Sequence, residues 1–155
     1  MSDIKLTYFA KSPIVTPLMH LRTLGPCQLE NIDVLWISEY QDIQESWFTN
    51  KHLIVIQRNF PGNLPLFRQI YDQATSLNLP IIYDIDDFLF ELPEDHPDKA
   101  IIPFIDSLLP MFEALVKADA VTVSTNALKD RLEKYNKNIF VLPNFLDDSQ
   151  WPFHL

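Results

Sequence analysis

The chain is 155 residues long, 47% apolar, and carries a formal net charge of −9. That length suits one domain with a sizeable core rather than two domains or a disordered segment. The acidic balance, with no Lys/Arg cluster, argues against nucleic acid or anionic lipid as main partner, because both demand neutralising cations.

Apolar runs alternate with helical patterns along the whole chain. Ile4–Ala10 reads as a strand, and Pro17–Leu24 as a short helix stopped by Gly25 and Pro26. Asp33–Ser38 is a second strand. His52–Gln57 is a third, apolar on both faces, as strands are in the middle of a helix-covered parallel sheet. Asn63 is placed to cap the next helix, with Pro65 tolerated in its first turn. Leu64, Phe67, Ile70, Tyr71, Ala74 and Leu77 then form one apolar stripe at helical spacing. Pro80–Asp86 is a fourth strand. After an acidic, proline-bearing loop, Ile101–Asp119 reads as a helix started by Pro103 and kinked at Pro110. Ala120–Thr125 is strand five. Asn126–Tyr135 is a helix with Leu128, Leu132 and Tyr135 inward, and Asn138–Asn144 is strand six. Six alternations predict an α/β class domain: a doubly wound, mostly parallel sheet with helices on both faces.

Cys27 is the one cysteine, so no disulfide frame or zinc knuckle can form within the chain, and a reduced, cytoplasmic setting is expected. The N-terminal segment MSDIKLTYFAKSP lacks the basic region and apolar core of a signal peptide. No apolar run nears the roughly 20 residues of a membrane span, so any membrane contact is expected to be peripheral. Only two glycines occur, Gly25 and Gly62. Cradling a nucleotide phosphate by backbone normally needs a glycine-rich turn, and neither G-x-G-x-x-G nor a Walker loop is present. The domain is therefore not expected to hold a nucleotide cofactor at its first turn.

The fourth strand ends in YDIDDF, with Asp84, Asp86 and Asp87 inside four residues. In open parallel sheets, ligands bind beyond the carboxyl ends of the strands. Like charges this close raise the proton affinity of at least one carboxylate, which could then accept a proton from a hydroxyl or hydrogen-bond to it. Three chemistries compete. Asp-x-Asp can hold a divalent cation in metal-dependent sugar-nucleotide transferases. IIYDIDDFLF resembles the first motif of haloacid-dehalogenase-type phosphatases, with Asp84 and Asp86 as its acidic pair. That family has Thr or Val where Phe88 stands, and an acidic pair after a later strand where this chain has Pro143–Asn144. The third reading is a floor for a hydroxyl-rich ligand. Arg58 closes the third strand, where a guanidinium can bind phosphate in two-point fashion or pair with Asp84 or Asp86. Asp84 or Asp87 could equally cap a turn, and Ser124 or Thr125 the following helix.

Three ordered segments, PIIYDIDDFLFELP, ADAVTVSTNALKDRL and IFVLPNFLDDSQW, together resemble the N-terminal half of GT-B glycosyltransferases of the group 1 and family 4 type. The likeness covers about Pro80 to Trp151. It implies a Rossmann-like acceptor-side domain over residues 1–148, with a linker to a C-terminal donor domain starting at 149–155. It implies transfer of a sugar from a nucleotide-sugar to a glycan or lipid-linked acceptor, as in polysaccharide biosynthesis, with no metal needed. The donor is expected on a half that this sequence does not contain, on a partner chain or in a longer protein, so this chain alone is expected to be inactive. Asp86 falls where relatives have a histidine facing acceptor and reacting sugar, and is the catalytic candidate. Asp84, Asp87, Arg58, Ser12 and Ser124 are the acceptor-binding candidates. Ser12 lies in the first turn, where relatives commonly have glycine; Phe145 likewise replaces a glycine in the exit segment bearing Asn144 and Asp147. The alternative is a non-catalytic module that docks a glycan or a protein.

Overall fold

The computed structural model describes residues 4–38, 42–100 and 102–144. Strands β1 (Lys5–Phe9), β2 (Asp33–Ile37), β3 (Leu53–Gln57), β4 (Ile81–Ile85), β5 (Ala120–Val123) and β6 (Ile139–Val141) form one sheet in the order β2-β1-β3-β4-β5-β6. Every neighbouring pair is parallel. The α/β class follows from the alternation, since parallel neighbours need a crossover and each crossover carries apolar surface to bury.

Residue parity sorts the core into two layers. Phe9, Ile54, Ile56, Tyr83, Ile85, Val121 and Val123 face one side, where they meet helices α3 (Leu64–Ser76), α4 (Ile102–Lys117) and α5 (Asn126–Leu132) through Phe67, Ile70, Met111, Leu115, Leu128 and Leu132. Leu6, Tyr8 and Val55 face the other side and pack against Met19 and Cys27. These two belong to a helical stretch made of α1 (Pro17–Met19), a π-helical turn (His20–Leu24) and α2 (Gly25–Leu29). Both faces are therefore helix-covered, as the doubly wound reading requires.

Capping follows the sequence. The Asn63 side chain accepts from the Leu66 amide at 2.9 Å at the head of α3, and Thr125 from Leu128 at 3.2 Å at the head of α5. Helix α4 runs through Pro110 to Lys117. Two expectations fail locally. Gly25–Pro26 does not end the first helix. Gly25 is helical with φ −63°, and the Gly25 amide bonds back to the His20 carbonyl across the π turn. A residue before proline is normally kept out of the α region by a clash involving its Cβ, which glycine lacks. Tyr135 does not point inward; α5 ends at Leu132, and the Tyr135 ring lies exposed, edge-on to Phe112 at 5.3 Å.

Because β1 lies between β2 and β3, the chain progresses in opposite directions from its first strand. That reversal marks a topological switch point between the carboxyl ends of β1 and β3, one strand away from the acidic end of β4.

Candidate functional site

The three aspartates have three different environments. Asp84 is 2% exposed and belongs to β4. Arg22 Nη2 lies 2.6 Å from its Oδ1, and Thr122 Oγ1 donates to the same oxygen at 2.7 Å. Arg22 is carried in by the π-helical turn, and its Nη1 also donates to the Leu142 carbonyl. The pair thus ties the first helical stretch, β4, β5 and the exit of β6 together in the sheet interior. Asp84 borders a cavity of about 200 Å³ with Arg22, Cys27, Val55 and Ile82, but both of its oxygens are engaged, one by Arg22 and Thr122 and the other by Arg22.

Asp86 lies just past the end of β4, with its side chain 10% exposed. Arg58 Nε sits 3.3 Å from its Oδ1, yet the geometry is not that of a hydrogen bond, and this buried oxygen has no hydrogen-bond partner among the described residues. Burial pushes the Asp86 carboxyl up from the usual range; Arg58 opposes the rise, while the charges of Asp87 and Asp84 add to it. The Asp86 backbone carbonyl accepts from Ser124 Oγ at 2.7 Å, which fastens the acidic loop to the end of β5.

Asp87 is 64% exposed, and its Oδ2 accepts from Arg58 Nη2 at 3.2 Å. Arg58 therefore spans both outer carboxylates, and leaves Asp84 to Arg22. Its backbone is left-handed, with φ 48°, and is held by its amide on the Asp84 carbonyl at 2.8 Å and by the Tyr83 hydroxyl on its own carbonyl at 2.9 Å. A non-glycine residue in that region costs about 1–2 kcal/mol, and these two bonds hold it there.

Beside this loop opens a cavity of about 450 Å³ lined by Asp86, Asp87, Phe88, Ser124, Thr125, Ala127, Leu128 and Arg131. A largely buried carboxylate, a second carboxylate open to solvent, an aromatic ring and a guanidinium thus share one concavity. Ser12 is not brought to it: its hydroxyl closes a local turn onto Ile14, at 2.7 Å to the carbonyl, in the loop after β1. Of the sequence candidates, Asp86, Asp87, Arg58 and Ser124 converge, Asp84 lies beneath them, and Ser12 stands apart at the end of β1. Asp147 and the 149–155 linker lie outside the described residues. Among the described residues, no group of three or more His, Cys, Asp or Glu side chains is placed to hold a metal ion. No described helix is long and apolar enough to cross a membrane.

Sequence reasoning missed Arg22, Thr122, Arg131 and Gln57. Gln57 ends β3 on the same face as Asp84, its register partner, and its buried amide nitrogen has no partner among the described residues. Tyr8, on that face too, has its hydroxyl pushed up by burial. The one sequence signal for Arg22 was a charged residue beside a helical-spaced row of Met19, Thr23 and Cys27, none of them charged.

Fold and site together define an α/β, Rossmann-like domain with a carboxylate-bearing cavity at the carboxyl rim of its sheet. No family model matches the chain, and no curated protein matches it at a significant level.

Proposed function

We propose that this domain is the acceptor-binding half of a glycosyltransferase, and that Asp86 addresses the acceptor hydroxyl. The observation that carries the reading is the Asp86 carboxylate: largely buried, with one oxygen lacking a hydrogen-bond partner among the described residues, of raised proton affinity, and at the wall of a cavity large enough for a sugar ring. A base of raised proton affinity suits removal of a hydroxyl proton as the oxygen attacks an anomeric carbon, with the nucleoside diphosphate as leaving group. That role applies to inversion of configuration; under retention Asp86 orients the hydroxyl. Arg58 holds the acidic loop and moderates its charge.

The donor is assigned to a second half, in a longer chain or a partner, because the loops at the carboxyl rim of this sheet offer no glycine-rich phosphate cradle. A glycan or lipid-linked glycan is the acceptor. The phosphatase alternative is less well supported, since its nucleophile would be Asp84, whose two oxygens are already taken by Arg22 and Thr122. The test is saccharide binding measured by saturation-transfer NMR with a panel of oligosaccharides. Native chain is expected to bind members of the panel and Asp86→Asn to lose most of that signal. Binding by no member, or binding indifferent to Asp86→Asn, contradicts the reading. Isolated chain mixed with nucleotide-sugar is expected to transfer nothing.

A further inference from the structure

We infer that Arg131 is a specificity-determining residue of the cavity, and that the acceptor sugar carries an oxyanion, a carboxylate or a phosphate ester, beside the hydroxyl offered to Asp86. The inference rests on the acceptor reading above and names the acceptor's class.

Charge pairing singles out Arg131. The chain has 21 acidic residues against 12 basic ones, and four arginines. Arg22, Arg58 and Arg68 each hold a carboxylate, the last on Glu113 at 2.7 Å. Arg131 has no carboxylate partner among the described residues, although acidic side chains outnumber basic ones around the molecule. Its guanidinium lies over the Phe88 ring, 4.9 Å from the centroid, and lines the cavity.

A cation held over an aromatic ring spends none of its N–H donors on that contact, so the guanidinium fork can still meet a carboxylate or a phosphate. Phe88 belongs to the same loop as Asp86 and Asp87, so the ring under Arg131, which α5 carries, and the Asp86 carboxylate sit on one loop. The cavity is not simply acidic, because Arg58 already meets both aspartates. A neutral sugar would use Asp86 and leave Arg131 idle. A uronic acid or sugar phosphate engages both poles of the same 450 Å³ space.

The test titrates native chain with glucose, glucuronate, glucose 6-phosphate and inorganic phosphate, following backbone amide shifts by NMR, and repeats it with Arg131→Gln and Arg131→Lys. A charge-assisted pair predicts at least one of the anionic sugars binding about tenfold tighter than glucose. Which of the two gains more distinguishes carboxylate from phosphate ester as the source. Arg131→Gln should level the sugars without changing glucose affinity, and Arg131→Lys should keep part of the preference. Arg131 is exposed, so neither variant endangers folding. Equal affinity for the three sugars, or a preference that survives Arg131→Gln, overturns this inference and leaves the acceptor reading standing. Inorganic phosphate binding as tightly as glucose 6-phosphate overturns it as well, since the site would then read charge without sugar. Binding of no sugar at all sinks both.

Discussion

Asp84 and Asp86 are two residues apart and have opposite physical roles. Asp84 is an interior ion-pair member, and removing one partner of such a pair strands a buried charge at a cost of about 3–5 kcal/mol. Asp84→Ala is therefore expected to destabilise the domain by roughly that amount in urea denaturation. The double replacement Arg22→Met with Asp84→Leu should recover most of it, and a double variant as unstable as the single would show that the pair holds more than itself. For Asp86 the sign reverses. Its folded carboxyl has a raised pKa, so the native state holds the proton more tightly than the unfolded chain. That raised affinity favours folding of the protonated form. Its benefit is complete below the ordinary aspartate value of 3.8 and lost as pH climbs through the folded value. Asp86→Asn, which carries no charge to desolvate, is expected to gain stability over native protein at pH 7 and to lose that advantage near pH 3.5. Equal stabilities at both pH values would mean that burial does not perturb this carboxylate.

At the scale of elements, the first helical stretch has the most informative local chemistry. Glycine to alanine inside a helix ordinarily stabilises by about 0.5–1 kcal/mol. Gly25→Ala should do the opposite here, because residue 25 is buried, helical and followed by Pro26, where a Cβ clashes with the proline ring. Thermal unfolding settles the sign, and a stabilised variant would refute the clash. This is also where the sequence was hardest to read. Gly-Pro after an apolar stripe is a stop signal by every local rule, and the π turn that carries the chain through it is fixed by packing against β1 and β3. The strands were legible as short apolar runs and α3 and α5 by an apolar period of 3.6, both imposed by burial itself, and the helix caps, Asn63 and Thr125, act within three residues.

At the scale of the molecule, the limits of legibility lie in long-range pairs. The acidic end of β4 was readable because three aspartates after an apolar run stand out in any sequence. Their division of labour was not. Arg22 meets Asp84 across 62 residues and Thr122 meets it across 38, through a strand order that no local pattern specifies. Arg131 reads as an ordinary outward helix residue until the fold lays it over Phe88. The same topology gathers Asp86, Arg58 and Ser124 at the ends of β3, β4 and β5, and leaves Ser12 farther along the same rim, beyond β1. The proposed acceptor role requires a saccharide to bind where β4 and β5 end. Mapping amide shift changes in isotopically labelled chain during titration with a bound oligosaccharide tests this directly. Changes concentrated at residues 86–88 and 124–131 are predicted. Changes gathered at the opposite rim, around Tyr71, Asn78 and Asp119, would contradict it.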